Sequence, residues 1–361
     1  MRFLLSGYYG FGNLGDEALL RVIVAELRTR YPYATIDVLS QRPEATRHEL
    51  AVDATPRADP KRVRAAIAAA DIVLSGGGGL LQNATSLRSL LYYLGIVRTA
   101  IAANKSTVIF AQSIGPLDFM GRQLVRQACR GLAGATVRDE ASRALLASLL
   151  PGVLVERTAD PVFLFSPRSA GTDLALRGIA LEGPLAVVSV RKTAHFAAGV
   201  EHLAAAVDRL AELGAQVAFV PFGGPEDAEA STVVMRRCRS NPVLVPVDGW
   251  DDAAEIFARA SVAIGVRLHA IVLAVCLGVP FAAVPYDPKV ANLCEDIAYP
   301  LAPLWVPRRG SETRAAASLV DELWSRRAEL AERLRGDAVR MRALAERNFT
   351  VLDRIVLAAR A

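Results

Sequence analysis

Short apolar runs alternate with amphipathic stretches along most of the chain. The first run, Arg2–Ser6, has the length of a strand, and residues 16–31 then place leucine, isoleucine and valine at helical spacing. The alternation predicts further strands at 35–39, 72–75, 107–111, 135–137 and 156–159, with helices at 60–70, 121–132 and 139–150. Strands that alternate with helices of this length are typical of a doubly wound parallel sheet.

A second series of the same kind follows a break at residues 166–183, where the periodicity is lost among prolines and glycines. Its strands are predicted at 185–190, 216–221, 243–246, 262–265 and 281–284, with helices between them. A length of 361 residues also favours two domains. We therefore expect an N-terminal Rossmann-like domain at 1–170, a linker at 171–183, a C-terminal Rossmann-like domain at 184–312 and a helical tail at 313–361. Two such doubly wound α/β domains facing each other across a cleft are the GT-B architecture of glycosyltransferases.

Composition and charge exclude several classes of protein. No uncharged apolar run reaches the roughly 18–20 residues that span a bilayer, and the first apolar run stops at strand length, so we expect neither a membrane span nor a signal peptide. The net charge of +5 comes from 42 basic and 37 acidic residues spread along the chain, without the basic stripe of a nucleic-acid-binding protein. Four scattered cysteines without a C-x-x-C pair are typical of a reducing compartment, which predicts a cytoplasmic protein.

The first candidate motif, at residues 7–17, follows the first strand and opens a helix with the sequence G-Y-Y-G-F-G-N-L-G-D-E. Its glycines allow a tight turn and close approach to a ligand, but their spacing is not that of a dinucleotide fingerprint. Asp16 and Glu17 would repel a phosphate, so a hydroxylic ligand or a proton-accepting role suits them better. Asn13 is a further cleft candidate. A plain strand-to-helix turn capped by Asp16 is the alternative.

Two more segments supply polar groups at strand ends in the first half. Four glycines follow Ser75 and lead to Gln82, which makes Gly78 and Gln82 candidates for contact with a sugar. The alternative for this loop is a flexible connection. Arg138 ends a later strand, and a structural ion pair is as good an interpretation there as a binding role.

Cations follow three strand ends in the second half. Arg191 follows the strand at 185–190, Arg267 and His269 bracket Leu268 at the head of a very apolar helix, and Lys289 follows the strand at 281–284. Carboxyl ends of parallel strands share one sheet edge, so these residues predict an anion site, with His269 as a group that can change protonation during a reaction. A capping or core histidine is the alternative for His269, and a solvated loop is the alternative for Lys289.

Motifs for other chemistries are missing from the sequence. It has no cysteine–histidine cluster, H-E-x-x-H, Walker A or G-x-S-x-G motif, so we expect neither a metal nor a cofactor.

Taken in order, these motifs resemble those of the polysaccharide pyruvyl transferases, of the type that pyruvylates secondary cell-wall polymers for the anchoring of surface-layer proteins. The resemblance rests on residues 7–17, on 75–82 with Thr85, Ser86, Tyr92 and Tyr93, on 137–139 and on 265–270. It extends from residue 5 to about 290, and the tail carries no matching motif.

The resemblance implies transfer of pyruvate from phosphoenolpyruvate to two hydroxyls of one sugar as a cyclic ketal, with release of phosphate. It implies that Arg191, Arg267 and Leu268 contact phosphoenolpyruvate and that His269 is catalytic, with Lys289 and Arg138 as supporting residues. Two arginine forks and a helix N-terminus can hold a carboxylate and a phosphate together, and a histidine acid can protonate the methylene carbon. Asp16 or Glu17 would take the hydroxyl proton, and the choice between them is left open.

For partners, the resemblance implies an acceptor that contains N-acetylmannosamine and is lipid-linked, at the inner face of the plasma membrane. The oligomeric state is left open, and so is the place of the tail, which could cross back onto the first domain, cover a partner subunit or touch the membrane. Two other functions stay open as alternatives. One is a GT-B nucleotide-sugar glycosyltransferase, with Glu226 or Glu255 on the ribose, and the other is a non-catalytic anion-binding protein.

Overall fold

The computed structural model describes residues 1–84, 86–167, 171, 173–179, 182–193, 196–304 and 313–360. The chain divides into two compact units. The first unit comprises Met1–Leu164 and Met341–Ala361, and the second comprises Phe165–Arg340.

The first unit is built on a seven-stranded parallel sheet in the order β3-β2-β1-β4-β5-β6-β7. Its strands are β1 (Arg2–Ser6), β2 (Thr35–Ser40), β3 (Asp53–Pro56), β4 (Ile72–Gly78), β5 (Ser106–Gln112), β6 (Gly134–Val137) and β7 (Val155–Arg157). Its helices before the tail are α1 (Leu14–Arg30), α2 (Pro43–Leu50), α3 (Pro60–Ala69), α4 (Leu87–Ala102), α5 (Phe119–Ala128) and α6 (Glu140–Leu149), followed by the short 3-10 helix Pro161–Leu164. The strand order reverses between β1 and β4, which is where open sheets of this kind form a crevice.

The sequence pattern missed two short elements of this unit, α2 and β3. Helix α2 has the polar sequence P-E-A-T-R-H-E-L and buries only Thr46, so its apolar periodicity is weak. Strand β3 has only four residues, and Ala54 alone is buried. Strand β3 is positioned by its pairing with β2 through Asp37 to Ser40, and α2 packs beside these two strands.

The second unit is built on a five-stranded parallel sheet in the order β10-β9-β8-β11-β12. Its strands are β8 (Leu185–Ser189), β9 (Gln216–Phe219), β10 (Val243–Leu244), β11 (Ala260–Gly265) and β12 (Phe281–Ala283). Its helices are α7 (Phe196–Glu212), α8 (Pro225–Met235), α9 (Trp250–Ala258), α10 (Leu268–Leu277), α11 (Pro288–Asp296) and α12 (Thr313–Ser325). The prediction of two doubly wound parallel-sheet α/β domains is therefore confirmed.

The helical tail is shared between the two units. Helix α12 packs on the core of the second unit through Val320 and Leu323, which are fully buried with the α7 side chains. Helix α13 (Arg327–Arg360) continues from there, and from Met341 onward it belongs to the first unit. Phe349 meets Phe110 edge to face at 5.2 Å between ring centroids. The buried apolar side chains of the tail thus belong to the cores of both units.

The described helices include none that is both long and apolar enough to cross a bilayer.

Candidate active site

Strand register brings Arg191 and Arg267 to the same edge of the second sheet. Ser189, which ends β8, is the parallel partner of Gly265, which ends β11. Each arginine lies two residues beyond its strand end, so the two guanidinium groups leave neighbouring strands at the same level. The site thus begins with two cations placed side by side by the backbone.

Arg267 is held by a carboxylate that the sequence did not reveal as part of the site. Its Nε donates to Oδ2 of Asp227 at 2.7 Å and its Nη2 donates to Oδ1 at 2.6 Å. Asp227 lies in the first turn of α8, is fully buried, and also accepts the backbone N–H of Gly223 at 2.8 Å. The bidentate pair orients the guanidinium and leaves its Nη1 without a partner among the described residues.

Arg191 is held by an aromatic side chain. Its Nη1 donates to the hydroxyl of Tyr286 at 2.6 Å, and its Cζ lies 5.2 Å from the centroid of that ring. Burial lowers the pKa of Arg191. The phenol of Tyr286 and the carboxylates of Asp227 and Asp287 together raise it by more, so the pKa of Arg191 lies above its ordinary value. Arg191 therefore keeps its positive charge at this half-buried edge.

Lys289 already has a carboxylate partner, as Arg267 does, whereas Arg191 is bonded to a phenol. Its Nζ lies 3.3 Å from Oδ2 of Asp287, the residue that caps α11. Its backbone N–H also donates to Oδ1 of Asp287 at 3.1 Å. A bound anion would have to compete with that carboxylate for the ammonium group.

The head of α10 presents Leu268 and His269 beside the arginines. Arg267 is the N-cap residue and Leu268 is the first helical residue, so the backbone N–H groups of the first turn point toward the same edge. The half-buried ring of His269 meets the buried Trp250 edge to face, with 6.4 Å between centroids. This packing against α9 sets the ring's position.

The predicted residues of the first unit gather around the loop after β1. The Glu17 carboxylate accepts the backbone N–H groups of Gly10 at 2.8 Å and Gly12 at 3.2 Å. Burial raises the pKa of Glu17 to about 7, although these two hydrogen bonds lower it in part. Glu17 thus holds the glycine-rich loop and can also change its protonation near neutral pH.

Asp16 and Gly78 lie against each other where the strand order reverses. Asp16 is buried, and a Cβ at Gly78 would lie 3.1 Å from its Oδ1. Gly78 has a φ of +85°, a left-handed conformation that favours glycine. Burial and the Asp16 charge both raise the pKa of Tyr9, whose hydroxyl donates to the carbonyl of Gly76 at 2.6 Å.

The other three candidates of the first unit are Asn13, Arg138 and Gln82. Asn13 caps α1, and its Oδ1 accepts the N–H of Gly15 at 3.2 Å. Arg138 is buried, with Nη1 2.8 Å from Asp160 and Nε donating to the carbonyl of Ala111. Of the two interpretations of Arg138, a structural ion pair or a binding role, this geometry favours the ion pair. Gln82 is half-buried after β4.

The first unit also contains a cavity of about 660 Å³ that the sequence analysis did not predict. It lies beyond the carboxyl ends of β1, β2 and β3 and between α3 and α4. We call it the aromatic cavity, because four aromatic side chains line it together with three arginines: Tyr8, Phe11, Tyr92, Tyr93, Arg57, Arg64 and Arg88. Arg57 directly follows β3, the strand that the pattern did not predict, so no strand end drew attention to it.

The described part of the chain contains no group of three His, Cys, Asp or Glu side chains that could hold a metal ion.

Comparison with known proteins identifies the family. A model of the polysaccharide pyruvyl transferase family matches residues 13–288, which include Asp16 and Glu17, both arginines and His269. No curated protein matches the chain.

Solved structures share the fold at low sequence identity. The UDP-GlcNAc 2-epimerase from Neisseria meningitidis, bound to UDP-GlcNAc, is 12% identical with a TM-score of 0.67, covering 98% of this chain and 100% of its own. The Anabaena HepE protein in complex with UDP-glucose is 12% identical with a TM-score of 0.65, covering 99% of both chains. A glycosyltransferase from Rickettsia africae is 10% identical with a TM-score of 0.64, covering 98% of both chains. These likenesses confirm a GT-B-like fold.

Proposed function

Because the chain belongs to the polysaccharide pyruvyl transferase family and is a transferase, we propose that it moves the pyruvyl group of phosphoenolpyruvate onto a sugar. In this reaction two hydroxyls of one sugar of a cell-wall polysaccharide precursor form a cyclic ketal, and phosphate is released. The observation that carries the proposal is the pair Arg191 and Arg267, placed at one sheet edge by the β8–β11 register beside the head of α10.

Phosphoenolpyruvate carries a carboxylate and a phosphate on the same carbon, so its site needs two closely spaced groups of positive charge. Arg191 and the Nη1 of Arg267 supply two, and the N–H groups at the start of α10, including that of Leu268, add a positive helix end. Lys289 would add a further positive charge when its ammonium group exchanges the Asp287 carboxylate for the substrate. Neutralisation of the leaving phosphate by these groups makes a metal and a cofactor unnecessary in the proposed reaction.

The proton balance assigns a role to His269. A proton from His269 adds to the methylene carbon as one sugar hydroxyl bonds to the neighbouring carbon, and that hydroxyl gives up its own proton. The second hydroxyl then bonds to the same carbon, and the bond from that carbon to the phosphate oxygen breaks. The second hydroxyl proton returns the histidine to its starting state, and the first hydroxyl proton leaves with the phosphate, which restores the base. A phosphate beside the ring favours the protonated imidazole that starts the cycle.

We propose Glu17 as the acceptor of the first hydroxyl proton. Its pKa of about 7 lets it take up and release a proton near neutral pH, as a general base requires. Asp16 is the alternative, and the substitutions Glu17→Gln and Asp16→Asn made separately distinguish the two. If both variants keep near-normal turnover, neither carboxylate is the base.

The deciding experiment measures phosphate release from phosphoenolpyruvate with candidate acceptors, and the mass of each acceptor afterwards. We expect release only with an acceptor that gains a pyruvyl ketal. His269→Ala should bind phosphoenolpyruvate normally and release no phosphate, whereas the exposed His48→Ala should behave as the unaltered protein. Normal turnover of His269→Ala would remove this histidine from the mechanism.

For the acceptor we extend the proposal to a lipid-linked repeat that contains N-acetylmannosamine and serves a secondary cell-wall polymer for surface-layer anchoring, used in the cytoplasm at the inner membrane face. This choice rests on the order of the sequence motifs. Mass spectrometry of repeats with and without N-acetylmannosamine tests it, and equal pyruvylation of both would reject it.

A second candidate is a nucleotide-sugar glycosyltransferase, which is favoured by the likeness to folds solved with UDP-glucose and UDP-GlcNAc. Thermal shift separates the two functions. Stabilisation by phosphoenolpyruvate and not by UDP supports pyruvyl transfer, and the reverse result supports the glycosyltransferase. Binding of phosphoenolpyruvate without turnover on any acceptor would leave an anion-binding protein.

A further inference from the structure

The aromatic cavity of the first unit combines positive charge with flat apolar surface. Its lining contains Arg57, Arg64 and Arg88 and no aspartate or glutamate. None of the three arginines lies in an ion pair with a carboxylate among the described residues. The acid next in sequence, Asp59, caps α3 and lies 3.6 Å from Arg62 instead. The cavity is therefore positive without internal compensation, and an anionic ligand would supply the balancing charge.

The guanidinium of Arg57 is positioned by three aromatic side chains. Its Cζ lies 4.3 Å from the centroid of Tyr92, 4.8 Å from Phe11 and 5.5 Å from Tyr93. Its hydrogen bonds to the Tyr93 hydroxyl and to the carbonyl of Gly7 are long, at 3.5 Å. Cation–π contacts fix the guanidinium without neutralising it, so its charge still acts on a ligand in the cavity.

The entrance carries a stacked aromatic pair on the glycine-rich loop. Tyr8 and Phe11 lie parallel, with 4.0 Å between centroids and 4° between planes, and each is 40% exposed. Exposed paired rings in a cavity wall offer a surface on which the apolar face of a sugar ring can pack.

Neutral polar groups complete the lining and favour a saccharide over a nucleotide. Ser86, Ser89, Thr99 and Gln41 line the cavity, and their hydroxyl and amide groups are of the kind that bonds to sugar hydroxyls. A volume of about 660 Å³ is within the usual size of a small-ligand site.

From this combination we infer that the aromatic cavity binds an acidic saccharide, that is, a sugar ring that carries a phosphate or a carboxylate. The anionic group lies at Arg64 and Arg88, and the ring packs on Tyr8 and Phe11. The identification of this saccharide as part of the acceptor rests on the proposed function, but its binding here does not.

Calorimetry on the full chain tests the inference with N-acetylglucosamine 1-phosphate and glucuronic acid as probes, each alongside neutral N-acetylglucosamine, inorganic phosphate and UMP. We expect at least one acidic sugar to bind at least about ten-fold more tightly than the neutral sugar or phosphate, as for a charged hydrogen bond. The preferred acidic sugar identifies whether the anion is a phosphate or a carboxylate. Arg64→Gln and Arg88→Gln should each weaken its binding about ten-fold.

Arg98→Gln is the matched control, because Arg98 is exposed on the same helix as Arg88 and does not line the cavity. Absence of binding by both acidic sugars, or binding that Arg64→Gln and Arg88→Gln leave intact, would overturn the inference. UMP binding that exceeds sugar binding and is lost in these two variants would show a nucleotide site instead. Phosphate release from phosphoenolpyruvate is measured separately from sugar binding. The proposed function can therefore be rejected while the saccharide site is supported, and the saccharide site can be rejected while the proposed function is supported.

Discussion

Asp227 and Arg267 form a buried bidentate ion pair at the edge of the second sheet, with donor–acceptor distances of 2.6 and 2.7 Å. The carboxylate is 1% exposed and the guanidinium 12% exposed. The arginine that the sequence marks as an anion ligand is thus oriented by a counter-ion from α8, and only its remaining N–H groups are available for substrate.

Asp227→Asn should destabilise the second unit, because it leaves the Arg267 charge buried without a counter-ion. Loss of one partner from a buried pair costs about 3–5 kcal/mol. Urea unfolding measures the change. Glu332→Gln is the control, since it breaks an exposed pair with Arg335 and should change the stability little. Equal effects of the two substitutions would contradict a special role for Asp227.

Gly223→Ala tests whether the position of Arg267 matters for donor binding. A Cβ at residue 223 would lie 2.0 Å from Nη2 of Arg267 and 2.9 Å from Oδ2 of Asp227, so the guanidinium must move. We expect a rise in the KM for phosphoenolpyruvate of about ten-fold or more, as for the loss of a charge-assisted hydrogen bond. Gly249→Ala is the matched control, because a Cβ there meets no atom within 4 Å. An unchanged KM in Gly223→Ala would show that Arg267 does not contact the donor.

Glu17 should make stability depend on pH. Its pKa is raised from 4.5 to about 7 by burial, so between these values the folded protein binds more protons than the unfolded chain. The free energy of unfolding therefore falls as the pH rises from 4.5 through about 7, and it levels off above that. Urea titrations across this range measure the slope, and Glu17→Gln should remove this part of it. A variant with the same slope as the unaltered protein would show that another group is responsible.

Phe349→Ala should destabilise the first unit although the residue lies in the C-terminal helix. Phe349 is fully buried and packs on Phe110 of β5, and removal of a buried phenylalanine costs about 3–5 kcal/mol. Hydrogen exchange should show the loss of protection in the first sheet, with the second sheet protected as before. Leu357→Ala on the same helix is the control, because that side chain is 67% exposed. A uniform loss of protection in both sheets would contradict the assignment of α13 beyond residue 340 to the first unit.

The fold class, and the strand ends that carry the candidate residues, can be predicted from the sequence alone. Strands such as β1, β4, β8 and β11 are buried apolar runs, and this signal is local, so the parallel pattern and the positions of Arg191, Arg267 and His269 could be predicted from it. The short polar elements α2 and β3 carry no such signal, because each buries a single side chain. Strand β3 is positioned by pairing with β2, and α2 packs beside these two strands.

The partners that compensate the charges of these residues are visible only in the folded protein. Asp227 lies forty residues before Arg267, and Tyr286 lies ninety-five residues after Arg191, so neither contact leaves a trace in local periodicity. The gathering of Arg57, Arg64 and Arg88 around one cavity likewise depends on β3 and on the packing of α3 beside α4. Apolar periodicity is a property of one element, whereas ion pairs and cavities arise from side chains of several elements that meet only when the sheet has formed.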